Sequence, residues 1–306
     1  MFSYTLRRLL EGVFVIVGVS VVVFLLLHLS PGDPAQLMLR EGASAEEVAR
    51  VRTNLGLDRP LPEQYGTFVW RALQGDLGAS FHYRQSAIEV VIDFLPETLY
   101  LSLAALVLSI IVSLPLGILS ALRRDSVWDL LGTTFAVLGQ AMPPFWLGIV
   151  LIFVFAVRLG WFPTSGSGTF SHLILPAVTL SAYQTALFTR LVRSGLLEVL
   201  GQDYVRTAHS KGLHQLRVVW KHAMRNTLIP LITVMGIQLG ALIAGAIVVE
   251  TVFAWPGVGR LLILAISSRD YPVIQAGVLL ISVLVVLVNI VVDVLYAFID
   301  PRIAYS

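Results

Sequence analysis

The sequence predicts an all-α membrane protein that crosses the bilayer six times. Three observations carry this. Of the 306 residues, 57% are hydrophobic and only 13% charged, against about 45–50% and about 25% in a soluble domain. One large soluble core does not explain the excess, because cores stop growing near this length and chains divide instead. Uncharged stretches recur at the length a helix needs to span the hydrocarbon, about 20 residues. Finally, Lys and Arg fall in alternate connecting segments, as the positive-inside rule requires.

The first expected span lies between Glu11 and Asp33, preceded by Arg7 and Arg8. Its apolar run is too long for a signal-peptide core and no small-residue cleavage pattern follows, so it is expected to stay as a helix. The second lies between Glu97 and Arg123, and the third between Asp129 and Arg158. The fourth, from Arg158 to Arg190, holds Pro176, Thr179, Ser181, Gln184 and Thr185. Polar residues at that depth face protein or a cavity, so this span is expected inside the bundle. The fifth lies between Arg225 and Glu250, and the sixth between Asp270 and Asp293. With the N-terminus inside, the inner segments hold 12 of the 21 basic residues. The two short outer loops hold only Arg158, Arg260 and Arg269. Both termini are therefore expected in the cytoplasm.

Three parts follow: the N-terminus and first span (1–29), an external segment (30–98), and a core of the remaining spans (99–306) that includes a cytoplasmic loop at 190–226. The external segment has helix signals. Ser44 with Glu47 reads as a capping box before Val48, Val51 and Leu55, with Gly56 as the stop. Pro62 opens a second helix carrying Tyr65, Phe68, Val69 and Leu73, ended by Gly75. Ser86 with Glu89 repeats the box before Ile88, Val91, Ile92 and Leu95. Three short amphipathic helices need a surface. They either cap the bundle or membrane, or offer a platform to an external partner.

In the inner loop, Asp203 is expected to cap a short helix ended by Gly212. A second helix should run from about His214 to Arg225, with Leu216, Val219, Trp220 and Ala223 apolar. The readings are a protein contact site or a helix held by anionic lipid. Gly201 and Gly212, framing the first helix, favour a defined turn.

Several classes are excluded or unsupported. With no cysteine there is no disulfide, thiolate metal site or cysteine nucleophile. A net charge of +2 does not point to nucleic acid. There is no P-loop, GxGxxG, GxSxG or HExxH, so no ATP site, cofactor site or catalytic residue is assigned to this chain. His209 and His214 are separated by the break at Gly212, which argues against a metal site. Glu250, at the outer end of the fifth span, and Asp293, four residues after Asn289 on one helix face, are the carboxylates a proton-coupled secondary carrier would use. Gln140, Gln184, Gln238, Asn289 and Asp293 are candidates to line a path.

The inner loop DYVRTAHSKGLHQLRVVWKHAMRNTLIP resembles the EAA loop of ABC importer permease subunits in the dipeptide and oligopeptide branch, which includes glutathione and nickel importers. The matching positions are Asp203, Tyr204, Arg206, Thr207, Ala208, Lys211, Gly212, His222, Arg225, Asn226 and Pro230. Arg206 and Thr207 replace the Glu and first Ala of the general pattern, while Ala208 and Gly212 keep its spacing. SPGDP (Ser30–Pro34), LGLDRPLPEQY (Leu55–Tyr65), GDLGAS (Gly75–Ser80), VVETVFAWPGVGRLL (Val248–Leu262) and DVLYAFIDPRI (Asp293–Ile303) are similar to the B-type subunit of that branch.

The resemblance implies a type I ABC importer permease fold. It implies a second, C-type permease subunit, two cytoplasmic ATPases that carry ATP and Mg, an external substrate-binding protein, and surrounding lipid. It further implies that Asp203, Tyr204, Arg206, Thr207, Ala208, Lys211 and Gly212 receive the ATPase power stroke. The outer turn with Trp255, Pro256, Gly257, Gly259 and Arg260 would either probe the docked binding protein or simply connect two helices.

Overall fold

The computed structural model describes residues 2–29, 44–54 and 56–299. SPGDP, the loop's Leu55 and the last residues from Asp300 lie outside these. The described residues are helical apart from turns and a single backbone bridge between Ala79 and Ser86.

Helix α1 (Phe2–Leu29) carries apolar side chains around most of its surface, with Phe14 80% and Leu10 62% exposed. A surface like this is stable only against lipid or another protein. After α1, α2 (Ala45–Asn54) starts with the expected capping box. Ser44 N–H donates to Glu47 Oε2 at 2.8 Å, and Glu47 N–H donates to Ser44 Oγ at 3.3 Å. Gly56 and Gly75 end α2 and α3 with φ of +69° and +77°. Helix α3 (Leu61–Leu73) opens with Pro62 and lays its aromatic side on the outer end of α1. There Tyr65 bonds Ser20 at 2.8 Å, Gln64 bonds His28 at 2.8 Å, and Phe24 packs on Tyr65 and Phe68. Leu73 does not join this contact, being 78% exposed. Beyond α3, Asp76 closes a turn. The Gly78 N–H and then the Arg71 side chain hold its carboxyl below the usual range, opposed by partial burial.

The third expected external helix does not exist as a separate element. Ser86 makes no side-chain cap, and the chain runs unbroken through Pro96 as α4 (Ala87–Leu122). At 36 residues this helix is about 54 Å long. It therefore outreaches the roughly 30 Å hydrocarbon layer.

The third expected span is not straight. Helix α5 (Val127–Ala141) and helix α6 (Pro144–Leu151), which passes into a π-helical turn at Ile152–Arg158, meet at 109°. Pro143 and Pro144 lack the N–H groups needed to continue α5. Helix α7 (Phe170–Leu200) runs ten residues past Arg190, the expected end of span four. Among the described residues four helices are long and apolar enough to cross a bilayer, or five if the bent α5–α6 pair is one span. Helix α7 is long but more polar. It is also central, with Leu173, Thr179, Ser181, Gln184, Phe188, Val192 and Leu196 all buried.

The chain continues through α8 (Asp203–Ser210), α9 (Gln215–Val218) with a π turn at Val219–Ala223, α10 (Met224–Val252), α11 (Val258–Ser268) and α12 (Tyr271–Ile299). The main core joins α4, α7 and α10 through Leu101, Ala105, Phe188, Val192, Leu242, Ala246 and Phe253. A second, outer core joins the start of α4 to α11 and α12 through Val90, Val91, Val258, Leu261, Val273 and Ala276. Helix α1 packs on α12.

Candidate functional site

The inner loop folds as a short helix fixed to the body at both ends. Asp203 is the first residue of α8 rather than its cap, with Gln202 preceding it in extended conformation. At the other end the Gly212 N–H donates to His209 O at 2.9 Å and the Leu213 N–H to Ala208 O at 3.4 Å. This pair of bonds is the Schellman closure, which needs a left-handed residue. Gly212 supplies it with φ +72°. His214 then caps α9, its Nδ1 accepting from the Leu216 N–H at 3.3 Å.

Burial divides α8 into two faces. Val205, at 1% exposure, and Ala208, at 5%, pack against Val218 (0%), Val199, Leu200 and Leu213. Asp203, Tyr204, Arg206, Thr207, His209 and Lys211 face outward. Tyr204 Oη also accepts a hydrogen bond from Asn226 Nδ2 at 2.8 Å, which ties the outer face to the first turn of α10. Arg206 and Asp203 approach to 3.7 Å with both side chains largely exposed, and such a pair contributes little by itself. What α8 presents is a rigid, charged ridge on an apolar base. The π turn after α9 has no local sequence signal; such turns concentrate at functional positions.

The outer turn is folded into the chain rather than held out from it. Trp255 (2% exposed), Gly257 and Gly259 are buried, Pro256 and Arg260 half-buried. The Trp255 indole donates to Glu97 O at 3.1 Å and stacks on Tyr100. Arg260 donates to Ala254 O at 2.9 Å. Glu250, completely buried, holds this turn together. It accepts from Thr98 Oγ1 at 2.6 Å and from the Arg260 N–H at 3.1 Å, and the Gly259 N–H also points at it. It therefore satisfies the open N-terminus of α11 from a neighbouring helix, a favourable place for a carboxylate. Thr98 Oγ1 in turn accepts the Val258 N–H at 2.8 Å. A Cβ on Gly257 would lie 2.2 Å from Glu250 Oε1, and one on Gly259 would lie 2.4 Å from Ile247 Cα. The glycines are there because the backbone comes that close.

The candidate path residues are dispersed, and no hydrogen bond joins any two of them among the described residues. Gln184 is 6% exposed on α7 and its Oε1 has no partner among the described residues. Gln140 on α5 and Gln238 on α10 are half-buried. Asn289 lies against α10 beside Gly240. Asp293 pairs with Arg8 at 3.1 Å, linking α12 to α1. Glu250 and Asp293 are thus occupied at opposite ends of the chain's helices, not members of one proton relay.

Sequence reasoning missed one arrangement. Arg193 on α7 grips Asp129 on α5 with both ends of its guanidinium, Nε to Oδ1 at 2.6 Å and Nη2 to Oδ2 at 2.8 Å. Ser120 Oγ and the Asp125 N–H complete the carboxylate's shell. The pair is 64 residues apart in sequence, and no local pattern announces it.

Known proteins now place the fold. Residues 113–305 match the family described as binding-protein-dependent transport system inner membrane component, and residues 1–104 match its N-terminal companion. The glutathione transport system permease protein GsiC of Salmonella paratyphi A is 46% identical over 306 residues, covering 100% of both chains. The GsiC proteins of Pectobacterium atrosepticum and Escherichia coli K12 are each 46% identical over 307 residues, again with 100% of both chains covered. Among solved structures, an inward-facing MetNI methionine ABC transporter chain matches with a TM-score of 0.57 at 17% identity, covering 69% of this chain and 96% of that one. A chain of an amino acid ABC transporter matches with a TM-score of 0.53 at 13% identity, covering 70% and 94%. These structures share the type I importer permease fold, and nothing in the comparisons supports a proton-coupled carrier. The chain belongs to the family of binding-protein-dependent transport system inner membrane components, and is a permease subunit of an ABC importer.

Proposed function

We propose that this permease serves an importer of glutathione or closely related short peptides, and that α8 is the element through which ATP-driven motion enters it. The carrying observation for the second part is the division of α8 into an apolar base and an exposed face of Asp203, Tyr204, Arg206, Thr207 and Lys211. A helix so fixed transmits force as a lever, and its charged face is of a kind that gives a partner register and orientation. The substrate class rests on full-length similarity at 46% identity to glutathione permeases. In this reading both termini are cytoplasmic, and α7 is the remaining span of six. A second permease subunit completes the path, two ATPases carry ATP and Mg, and an external binding protein delivers the cargo. The divisions 1–29, 30–98 and 99–306 then correspond to an outer wrapping helix, an external cap and the core. Gln140, Gln184, Gln238 and Asn289 remain candidates for the path. Trp255 to Arg260 form a braced connector whose surface, rather than a free tip, would meet the binding protein.

The test is ligand-stimulated ATP hydrolysis by the reconstituted complex, with glutathione, di- and tripeptides and nickel chelates as ligands. Glutathione or short peptides should stimulate; stimulation by nickel chelates alone overturns the substrate assignment. Gly212→Glu should insert normally yet lose ATPase docking, because it puts a Cβ at φ +72° and a carboxylate on the ridge. Normal stimulated hydrolysis in that variant would refute the role of α8.

A further inference from the structure

We propose that the Asp129–Arg193 pair is a positioning joint for transport, making the α4–α5 turn and the inner end of α7 move as one body with α8. This rests on the reading of α8 given above. Four donors saturate the carboxylate: Arg193 Nε and Nη2, Ser120 Oγ and the Asp125 N–H. They come from three places, the end of α4, the turn that follows it, and α7. Asp129 also takes the first-turn position of α5, where the Ser126 side chain caps its N–H at 3.4 Å. One side chain therefore fixes the exit of α4, the start of α5 and the register of α7. The Asp129 side chain is 7% exposed and that of Arg193 25%, so the carboxylate end of the pair is the sheltered one.

The pair lies where such a joint transmits motion. Arg193 is seven residues before the end of α7 at Leu200, about 10 Å along the axis, and only Gly201 and Gln202 separate that end from α8. Val199 and Leu200 of α7 belong to the apolar base of α8. On the other side, α5 leads to the 109° bend at Met142 and Pro143. Displacement of α8 thus reaches α7 through packed side chains, and reaches α5 through a bidentate clamp. A guanidinium is suited to this, because two parallel bonds fix orientation as well as distance, whereas an ammonium acts as a point charge.

Arg193→Lys and Asp129→Asn, in the complete complex in proteoliposomes, separate joint from scaffold. The expected result is basal ATP hydrolysis within about twofold of the parent while uptake per ATP falls about tenfold or more, because Lys keeps the charge but loses the two-point geometry and Asn loses the charge. Unchanged uptake per ATP in both variants overturns the proposal. So does loss of basal hydrolysis together with uptake, since the pair then serves assembly alone. A second measurement uses the unaltered joint. The chain has no cysteine, so Arg124→Cys and Glu198→Cys can carry a spin-label pair across it. That distance should stay constant on ATP binding in the parent joint and broaden with Arg193→Lys; a shift in the parent joint also overturns the idea. Failure of α8 as the ATPase contact would appear separately, as normal stimulated hydrolysis in Gly212→Glu.

Discussion

Glu250 shows at single-residue scale why a carboxylate in a membrane protein need not carry protons. Both of its oxygens accept, from Thr98 and from the first N–H groups of α11. Glu250→Gln replaces one accepting oxygen with an NH2, which then faces either the donating Thr98 hydroxyl or the first N–H groups of α11. Leaving such a buried donor unmatched costs about 1–3 kcal/mol. The complex should lose thermal stability accordingly, and a Tm equal to the parent's would show the network to be dispensable. Gly259→Ala presses a methyl to 2.4 Å from Ile247 Cα. Overpacking of this kind costs about 1–3 kcal/mol, read as a lower Tm and reduced yield of assembled complex. The chain's WPGVG run was legible as a turn. Its burial was not, because the partners Thr98 and Glu97 lie more than 150 residues away in sequence. Asp129 and Arg193 were hidden for the same reason.

Elements were legible where the determinant was local. The Ser44–Glu47 box formed as expected because its two groups sit on one turn. Ser44→Ala should weaken α2 by about 1 kcal/mol, seen as faster amide exchange over residues 45–50 and little change in α3. The similar Ser86–Glu89 pattern precedes a helix without forming a side-chain cap, and that helix runs on into the second span. The broken third span was written in Pro143 and Pro144, yet spacing between charges alone joined its halves. Helix α11 has no separate start signal, because its first residues, Val258 to Arg260, continue the Pro- and Gly-containing turn. Inner helix α8 was found by its closing glycine, although its first residue was shifted by one position, within the usual uncertainty of helix ends.

For the whole molecule, composition established the membrane and charge placement its expected orientation. Because the chain has no cysteine, the proposed topology can be checked directly. Cysteines placed at Arg124 and Tyr204 should be protected from an impermeant thiol reagent added outside intact cells, while one at Arg59 should react. Labelling of Arg124→Cys from outside would reverse the orientation. The bend between α5 and α6 has an electrostatic consequence. Each helix end leaves backbone groups without intrahelical partners, carbonyls at the end of α5 and N–H groups at the start of α6. Hydrocarbon does not tolerate them, so broken helices at membrane depth face protein or a water-filled cavity. The bend also brings the negative pole of one helix beside the positive pole of the next.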